Sequence, residues 1–518
     1  MNRDTMLERI ADPKLQWDFI VIGGGATGVG TALDAASRGF NVVLFEQSDF
    51  AAGTSSRSTK MIHGGVRYLQ QGNISLVMEA LRERGILRRN APHLVHDLSF
   101  IVPTYDWWEG PFYGIGLKLY DILAGKEGMG PSKILTKEET IEKIPTVETD
   151  GLRGGVIYGD GQFDDSRLVI NMAQTASEQG GALLNYMKVI SLLKKSGFIC
   201  GVIAYDSEND REYEIHARAV INATGVFTDS IRYIDDPLAR PIIQPSQGVH
   251  IVLDKSFLPG ETAIMVPHTD DGRVLFAIPW HDGVIVGTTD TPVKEVSLMP
   301  LPMDHEIEFL LKHAARYLKK DPEANDVLSV FAGLRPLFTD IRRMETAAIS
   351  REHAVSISRT GLVTITGGKW TTYRKMAEET IDQAIVIAQL EYQPSCTENL
   401  QIHGYHHHTD IFGKLAGYGS DALEIEELCK KDAGLEKPLY KDSVLAAEVV
   451  WAVNNEMART VEDFLARRRR LLFLDARASA EIAPVVAELM AEELNKGKQW
   501  QKLQVKEFQQ TVENYLVH

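Results

Sequence analysis

No apolar run in this chain reaches the ~18 residues that a membrane-crossing helix needs. The opening "MNRDTMLERIADPKLQW" has no apolar core of the kind a secretory leader carries, so none is expected. There are only three cysteines, Cys200, Cys396 and Cys429, far apart in sequence. They form neither a disulfide framework nor a C-x-x-C pair, which points to a reducing, cytoplasmic setting and argues against a thiol relay. Positive charge is also short: a formal net charge of −16 disfavours nucleic acid as a partner and disfavours generic binding to anionic lipid. Internal repeats and low-complexity tracts are lacking too.

What is present is the composition of a large globular protein. Its 518 residues, 44% hydrophobic and 24% charged, suit two or three domains with ample core. The first strong signal is "DFIVIGGGATGVG". An apolar run fit for a buried parallel strand breaks into G-x-G-x-x-G as Gly23, Gly25 and Gly28, and helical spacing follows. Gly23 permits the turn, Gly25 leaves room for a pyrophosphate, and Gly28 lets helix and strand pack closely. The helix start offers N–H groups and a positive dipole end to phosphate. "NVVLFE" is a second strand, and it ends in Glu46, where a ribose-binding acid belongs. A tight turn alone would explain the glycines but not Glu46. The unit is therefore read as dinucleotide-binding.

Two later segments speak for a flavin rather than a nicotinamide. "ARAVINATG" is a strand running into Gly225. "GLVTITGGKWTTYRKMAEETIDQAI" reads as strand, glycine turn and helix far from the first unit. A reduced flavin gathers negative charge that a helix N-terminus stabilises, and a nicotinamide domain has no need of this third piece. Between them, "GVHIVL", "TAIMV", "RVLFAI" and "GVIVGTTD" are closely spaced strands of antiparallel type. Residues 75–145 read as largely helical, interrupted by "VPTYDWWEGPFYGIG". No glycine intervenes between Gly434 and Gly497, and Leu445, Val449, Ala452 and Val453 share a helical face. The expected fold is α/β. A discontinuous Rossmann-like FAD-binding domain (1–75, 150–245, 330–388) surrounds an antiparallel-sheet substrate domain (76–149, 246–329), and an all-helical domain (395–518) follows.

The strings "GGGATGVG", "GTSSRSTKMIHGGVRYL", "INATG", "GTTD", "GLRPL" and "GGKWTTYRK" together resemble the FAD-dependent, quinone-linked glycerol-3-phosphate dehydrogenases of the D-amino-acid-oxidase-like superfamily. The resemblance runs from about residue 17 to 385. One departure from the family is at Arg57 and Thr59, where small residues are usual. The resemblance implies FAD along Gly23, Gly25, Gly28 and Glu46, then Thr54, Ser55, Ser58, Lys60, His63, Gly64 and Gly65. Ala223 and Gly225 would follow, with Gly368, Lys369 and Thr372 at the anionic edge. A phosphorylated alcohol calls for arginine forks. Matching positions are Arg67, Tyr68, His250, Arg335, Arg351 and Lys369, which only the resemblance places in one pocket. Taken singly, His250 could be a core histidine, Arg335 a turn cap and Arg351 a surface charge. By intrinsic pKa, His250 is the best base for the alcohol proton, with Arg335 and Lys369 favouring the developing alkoxide.

The implied reaction is oxidation of sn-glycerol 3-phosphate to dihydroxyacetone phosphate, with quinone as acceptor. The alternatives are an oxidase that uses O₂, an oxidase of another 2-hydroxy or amino acid, and a flavin-containing RNA-modifying protein. Peripheral attachment at the inner face of the cell membrane and a homodimer are both compatible with the family. "WWEGPFYGIGLKLY" suits either a lipid interface or a domain core. Arg467 to Arg470 suit packing against acidic neighbours better than headgroup contact. "HGYHHH", with His406 to His408, lacks companion acids or cysteines and is expected to be a solvated loop rather than a metal site.

Overall fold

A computed structural model describes residues 1–65, 73–267, 269–270, 272–338, 353–441 and 443–517. Its first sheet is built on strand Trp17–Ile22, which is flanked in parallel by Val42–Phe45 and Arg211–Asn222. Val363–Gly367 extends it in parallel beside Arg211–Asn222, and Ala182–Leu184 does so beside Val42–Phe45. Both faces of the sheet are covered, so Phe19, Ile20, Val21 and Val42 to Leu44 are fully buried. That accounts for the unbroken apolar runs of the sequence. Helix Ala26–Ser37 packs against helices Asp165–Glu178 and Tyr373–Ala388. The two glycine-turn units, far apart in sequence, thus meet in one layer.

The second sheet holds Ile243–Asp254, Gly283–Gly287, Leu275–Trp280 and Thr262–Val266, paired antiparallel as the spacing implied. Strand Val95–Thr104 continues it, parallel to Thr262–Val266. Three boundaries differ from expectation. Strands Gly154–Phe163 and Val327–Phe338 pair inside this second sheet, not with the cofactor-type sheet. The segment expected to be largely helical contains two strands, Val95–Thr104 and Lys133–Thr136, because its apolar stretch "SFIVPT" finds partners on Gly154–Phe163. The aromatic stretch does not interrupt a helix but begins one, Glu109–Ala124. Pro111 falls in its first turn, where a missing N–H costs no helical bond.

The C-terminal region is helical apart from a ribbon of Pro438–Tyr440 on Val444–Leu445. Its apolar side packs onto the second sheet through Val252, Trp280, Ile285 and Phe331. Arg467 to Arg470 are held by acids, as the composition suggested. Arg467 donates to Asp49 (2.6 Å) and Asp463 (2.7 Å), Arg468 to Asp49 (3.0 Å), and Arg470 to Asp165 (3.0 Å). Arg469 pairs with Glu448 at 2.7 Å. Among the described residues no helix is long and apolar enough to cross a membrane.

A second tether is His403, set between Glu178 and Asp421, with Nε2 2.8 Å from the latter. The two carboxylates outweigh burial and raise its pKa to about 9. A histidine raised above its unfolded value of ~6.5 contributes stability that is fully present below that value and lost as pH rises through about 9. Urea midpoints of the wild type and His403→Gln are expected to differ at pH 6 and to converge by pH 10. A constant difference across that range would contradict the tether.

Candidate functional site

Where the two sheets meet, a cleft of about 710 Å³ opens beside the first glycine turn. At Gly23 the backbone takes a φ of +112°, and a Cβ there would lie 2.6 Å from the Ala223 carbonyl oxygen. Gly24 and Gly25 line the cleft, with Gly25 at the N-cap of helix Ala26–Ser37. Gly28 does not line it. A Cβ on Gly28 would sit 1.9 Å from the Gly23 carbonyl oxygen, so its part is the close packing of helix on turn. Glu46 accepts hydrogen bonds from the Gly24 N–H (2.6 Å) and the Ser48 N–H (2.9 Å), and desolvation in the cleft wall raises its pKa. Ala223 and Gly225 close this end.

The hydroxyl-rich loop forms the next wall. Ser55 Oγ accepts from the Ala26 N–H (2.9 Å), while the Thr54 hydroxyl donates to the Leu334 carbonyl (2.6 Å). Both residues line the cleft, as do Ser58 and His63. The Ser58 hydroxyl, however, donates to Asp165 (2.7 Å). Lys60 departs from expectation. Its ammonium is fully buried outside the cleft wall, donating to Asp165 (2.7 Å) and the Ser56 carbonyl (2.6 Å). The rings of Trp280, Phe331 and Phe473 surround it. Burial, with Arg470 alongside, lowers its pKa to about 7 against the pull of Asp165. Gly64 and Gly65 are also absent from the wall. The Gly64 N–H donates to Tyr120 (2.8 Å), and a Cβ there would meet Leu81 and Tyr120 at 2.7 Å.

His250, Arg335 and Lys369 share this cleft. Strand Ile243–Asp254 runs antiparallel to Val327–Phe338, with Gly248 opposite Gly333 and His250 opposite Phe331. Gly248 is needed because a Cβ there would come within 2.4 Å of Arg335 Nη2. The guanidinium lies across the strand, donating to Thr288 Oγ1 (3.0 Å), the Thr289 carbonyl (3.0 Å), the Gln247 carbonyl (3.3 Å) and Asp290 (3.3 Å). The buried His250 ring stacks on Phe331 at 4.9 Å, and its Nε2 lies 2.9 Å from Thr59 Oγ1. Its Nδ1 has no hydrogen-bond partner among the described residues. Burial, then the charges of Lys60 and Arg335, hold its pKa well below the usual value, so the imidazole is neutral near pH 7.

Lys369 follows Gly367 and Gly368, whose φ values of +75° and +76° swing the chain into the cleft. Thr372 does not reach it. Its N–H and hydroxyl turn back to the Lys369 carbonyl (3.1 and 3.3 Å), and Thr371 lines the wall instead. Arg67, Tyr68 and Arg351 lie outside the described residues. Sequence reasoning passed over Trp370, whose indole donates to the Ser55 carbonyl (3.1 Å), and treated Arg57 and Thr59 only as departures. Both line the cleft. Their signal was their place inside the most specific string.

A glycine-lined turn, a helix start and a carboxylate, with histidine, arginine and lysine in the same cleft, fit FAD and an anionic alcohol. Residues 18–374 match the family described as FAD dependent oxidoreductase, and 358–501 match the C-terminal domain of alpha-glycerophosphate oxidase. The mouse mitochondrial glycerol-3-phosphate dehydrogenase is 41% identical over 97% of this chain and 73% of its own length. The fission yeast (Schizosaccharomyces pombe) enzyme of the same name is 38% identical, over 95% and 86%. The crystal structure of the Bacillus halodurans glycerol-3-phosphate dehydrogenase with FAD superposes with a TM-score of 0.81 at 29% identity. It covers 99% of this chain and 97% of that one. The chain belongs to the FAD-dependent glycerol-3-phosphate dehydrogenase family. L-alpha-glycerophosphate oxidase from Mycoplasma pneumoniae, at 17% identity and a TM-score of 0.58, shares the fold. As a member of the dehydrogenase family, the chain is a flavoenzyme whose α/β core and helical C-terminal region follow the family's architecture.

Proposed function

We propose that this flavoenzyme oxidises sn-glycerol 3-phosphate to dihydroxyacetone phosphate and passes the electrons to a quinone. The observation that carries the reading is the meeting of His250, Arg335 and Lys369 in the cleft that begins at the glycine turn. Gly23, Gly25, Glu46, Ser55, Ala223, Gly225 and Gly368 would hold FAD, which when bound supplies the acceptor for the hydride leaving C2. The parallel sheet would form the cofactor part, and the antiparallel sheet the substrate part.

The Arg335 guanidinium, held by Gln247, Thr288, Thr289 and Asp290, would set a fixed positive charge beside the phosphate, and Lys369 a second one. By their place in the resembling strings, Arg67, Tyr68 and Arg351 would serve the same ligand. The neutral His250 accepts the hydroxyl proton as the carbon is oxidised, and its apolar seat against Phe331 keeps it unprotonated beforehand. The cationic neighbours favour the alkoxide that develops. A carboxylate substrate would need one such charge. Arg335 and Lys369 in the one cleft favour the phosphate over another 2-hydroxy or amino acid.

Quinone rather than O₂ is supported by a feature of the surface. On helix Glu109–Ala124 and the residues before it, Trp107 (78% exposed), Trp108, Phe112, Ile115 (74%), Leu119 and Ile122 (74%) are open to solvent. Positions 108, 112, 115, 119 and 122 share one face. Aromatic and branched apolar side chains arranged so suit the headgroup boundary of a bilayer, where a lipid quinone resides.

Two tests follow from this reading. An anaerobic visible spectrum is expected to show flavin bands that bleach with sn-glycerol 3-phosphate and persist with glycerol or a 2-hydroxy acid. Bleaching by all three, or by none, would overturn the substrate. Wild-type protein is expected to float with phosphatidylcholine–phosphatidylglycerol vesicles. A Phe112→Asp/Ile115→Asp variant should stay in solution with its bleaching intact. Equal flotation of both would remove the helix face from the account.

A further inference from the structure

Glu306 is 1% exposed in the first turn of helix Asp304–Ala315. Four donors converge on its carboxylate. Oε1 accepts from the hydroxyls of Thr289 (2.8 Å) and Thr291 (2.6 Å). Oε2 accepts from Gln247 Nε2 (2.8 Å) and the Met303 N–H (3.1 Å). The donors come from three places: strand Ile243–Asp254, the 289–291 stretch and the helix itself. The Thr289 hydroxyl also accepts from the Val249 N–H (2.9 Å), so its proton is committed to Glu306. A carboxylate that merely filled space here could be replaced by an apolar side chain at no loss. The four donors match acceptor-only chemistry instead.

Gln247 and Thr289 are also two of the residues that grip Arg335. The Gln247 carbonyl accepts from Nη1 (3.3 Å), and the Thr289 carbonyl from Nη2 (3.0 Å). Each therefore holds Glu306 with its side chain and Arg335 with its backbone. Val249, tied through Thr289, sits between Gly248, over which the guanidinium lies, and His250. We propose that Glu306 is the positioning residue that fixes where the Arg335 guanidinium places its charge for an oxyanion, a role resting on the reading of Arg335 as a phosphate ligand. Glu306 is not part of the cleft wall. Its effect passes through two backbone carbonyls.

Glu306→Gln keeps the shape but turns part of an acceptor into a donor facing donors. The probe is inorganic phosphate added to the holoenzyme, read as the rise it causes in melting temperature. The rise seen with wild type is expected to vanish in Arg335→Ala and to be largely lost in Glu306→Gln. Adding Glu306→Gln to Arg335→Ala should change it no further, as befits two residues acting as one unit. With sn-glycerol 3-phosphate, Glu306→Gln should raise KM about tenfold and lower kcat by less than Arg335→Ala does, the scale of one weakened bond to a charge. If Arg335→Ala abolishes the phosphate response while Glu306→Gln keeps it in full, the positioning role is wrong and the phosphate assignment stands. If Arg335→Ala keeps the response, both fall. Should Glu306→Gln fail to fold, Thr289→Val is expected to lose part of the response. Full retention there would overturn the proposal.

Discussion

The cleft depends on one buried carboxylate. Asp165 opens helix Asp165–Glu178 and has no exposed surface. It accepts from the backbone N–H of Ser58 (3.1 Å), the Ser58 hydroxyl, the Lys60 ammonium and Arg470. Through these bonds the hydroxyl-rich loop, a helix of the first layer and the C-terminal region meet at one point. An anion there is favoured by the helix N-terminus as well as by its cations. Removing one member of such a buried set leaves the others uncompensated, at a cost of about 3–5 kcal/mol. The loop that carries Ser55, Thr59 and His63 to the cleft is thus held from below by charge, not only by packing.

The same arrangement tunes the chemistry above it. Lys60, depressed toward neutrality by burial and by Arg470, lies close enough to disfavour protonation of His250. Thr59, next to Lys60 in the chain, reaches the His250 ring from the hydroxyl-rich loop. Anchor and base are coupled through one residue. Glycines make the convergence possible where a side chain would block it: Gly28 beneath the dinucleotide turn, and Gly248 beneath the Arg335 guanidinium.

Much of this was legible before the structure. The turn at Gly23 to Gly28, Glu46 at a strand end and the distant "TGGKWTT" unit were read from apolar runs that end in glycine, since strands buried on both faces leave that mark. His250, Arg335 and Lys369 line one cleft, and they were brought together beforehand only by family resemblance, because spacing says nothing of convergence across two sheets. Strand Gly154–Phe163 was given to the wrong sheet because pairing partners are not written in periodicity. Lys60 was expected to be a cofactor contact because the resemblance lays the whole string along FAD. Its positive φ of 60° and the pull of Asp165 turn it inward instead. Glu306 left no signal at all. An acid in a helix's first turn reads as an ordinary capping residue.

The claim on which the rest stands is that Asp165 holds the loop, and the loop holds the cleft. Hydrogen–deuterium exchange of residues 54–62, measured in wild type and in Asp165→Asn with bound flavin counted in both, tests it directly. The account expects much faster exchange in this loop, unchanged protection in strand Trp17–Ile22, and loss of most of the flavin. Native protection of the loop with a full complement of flavin would contradict it.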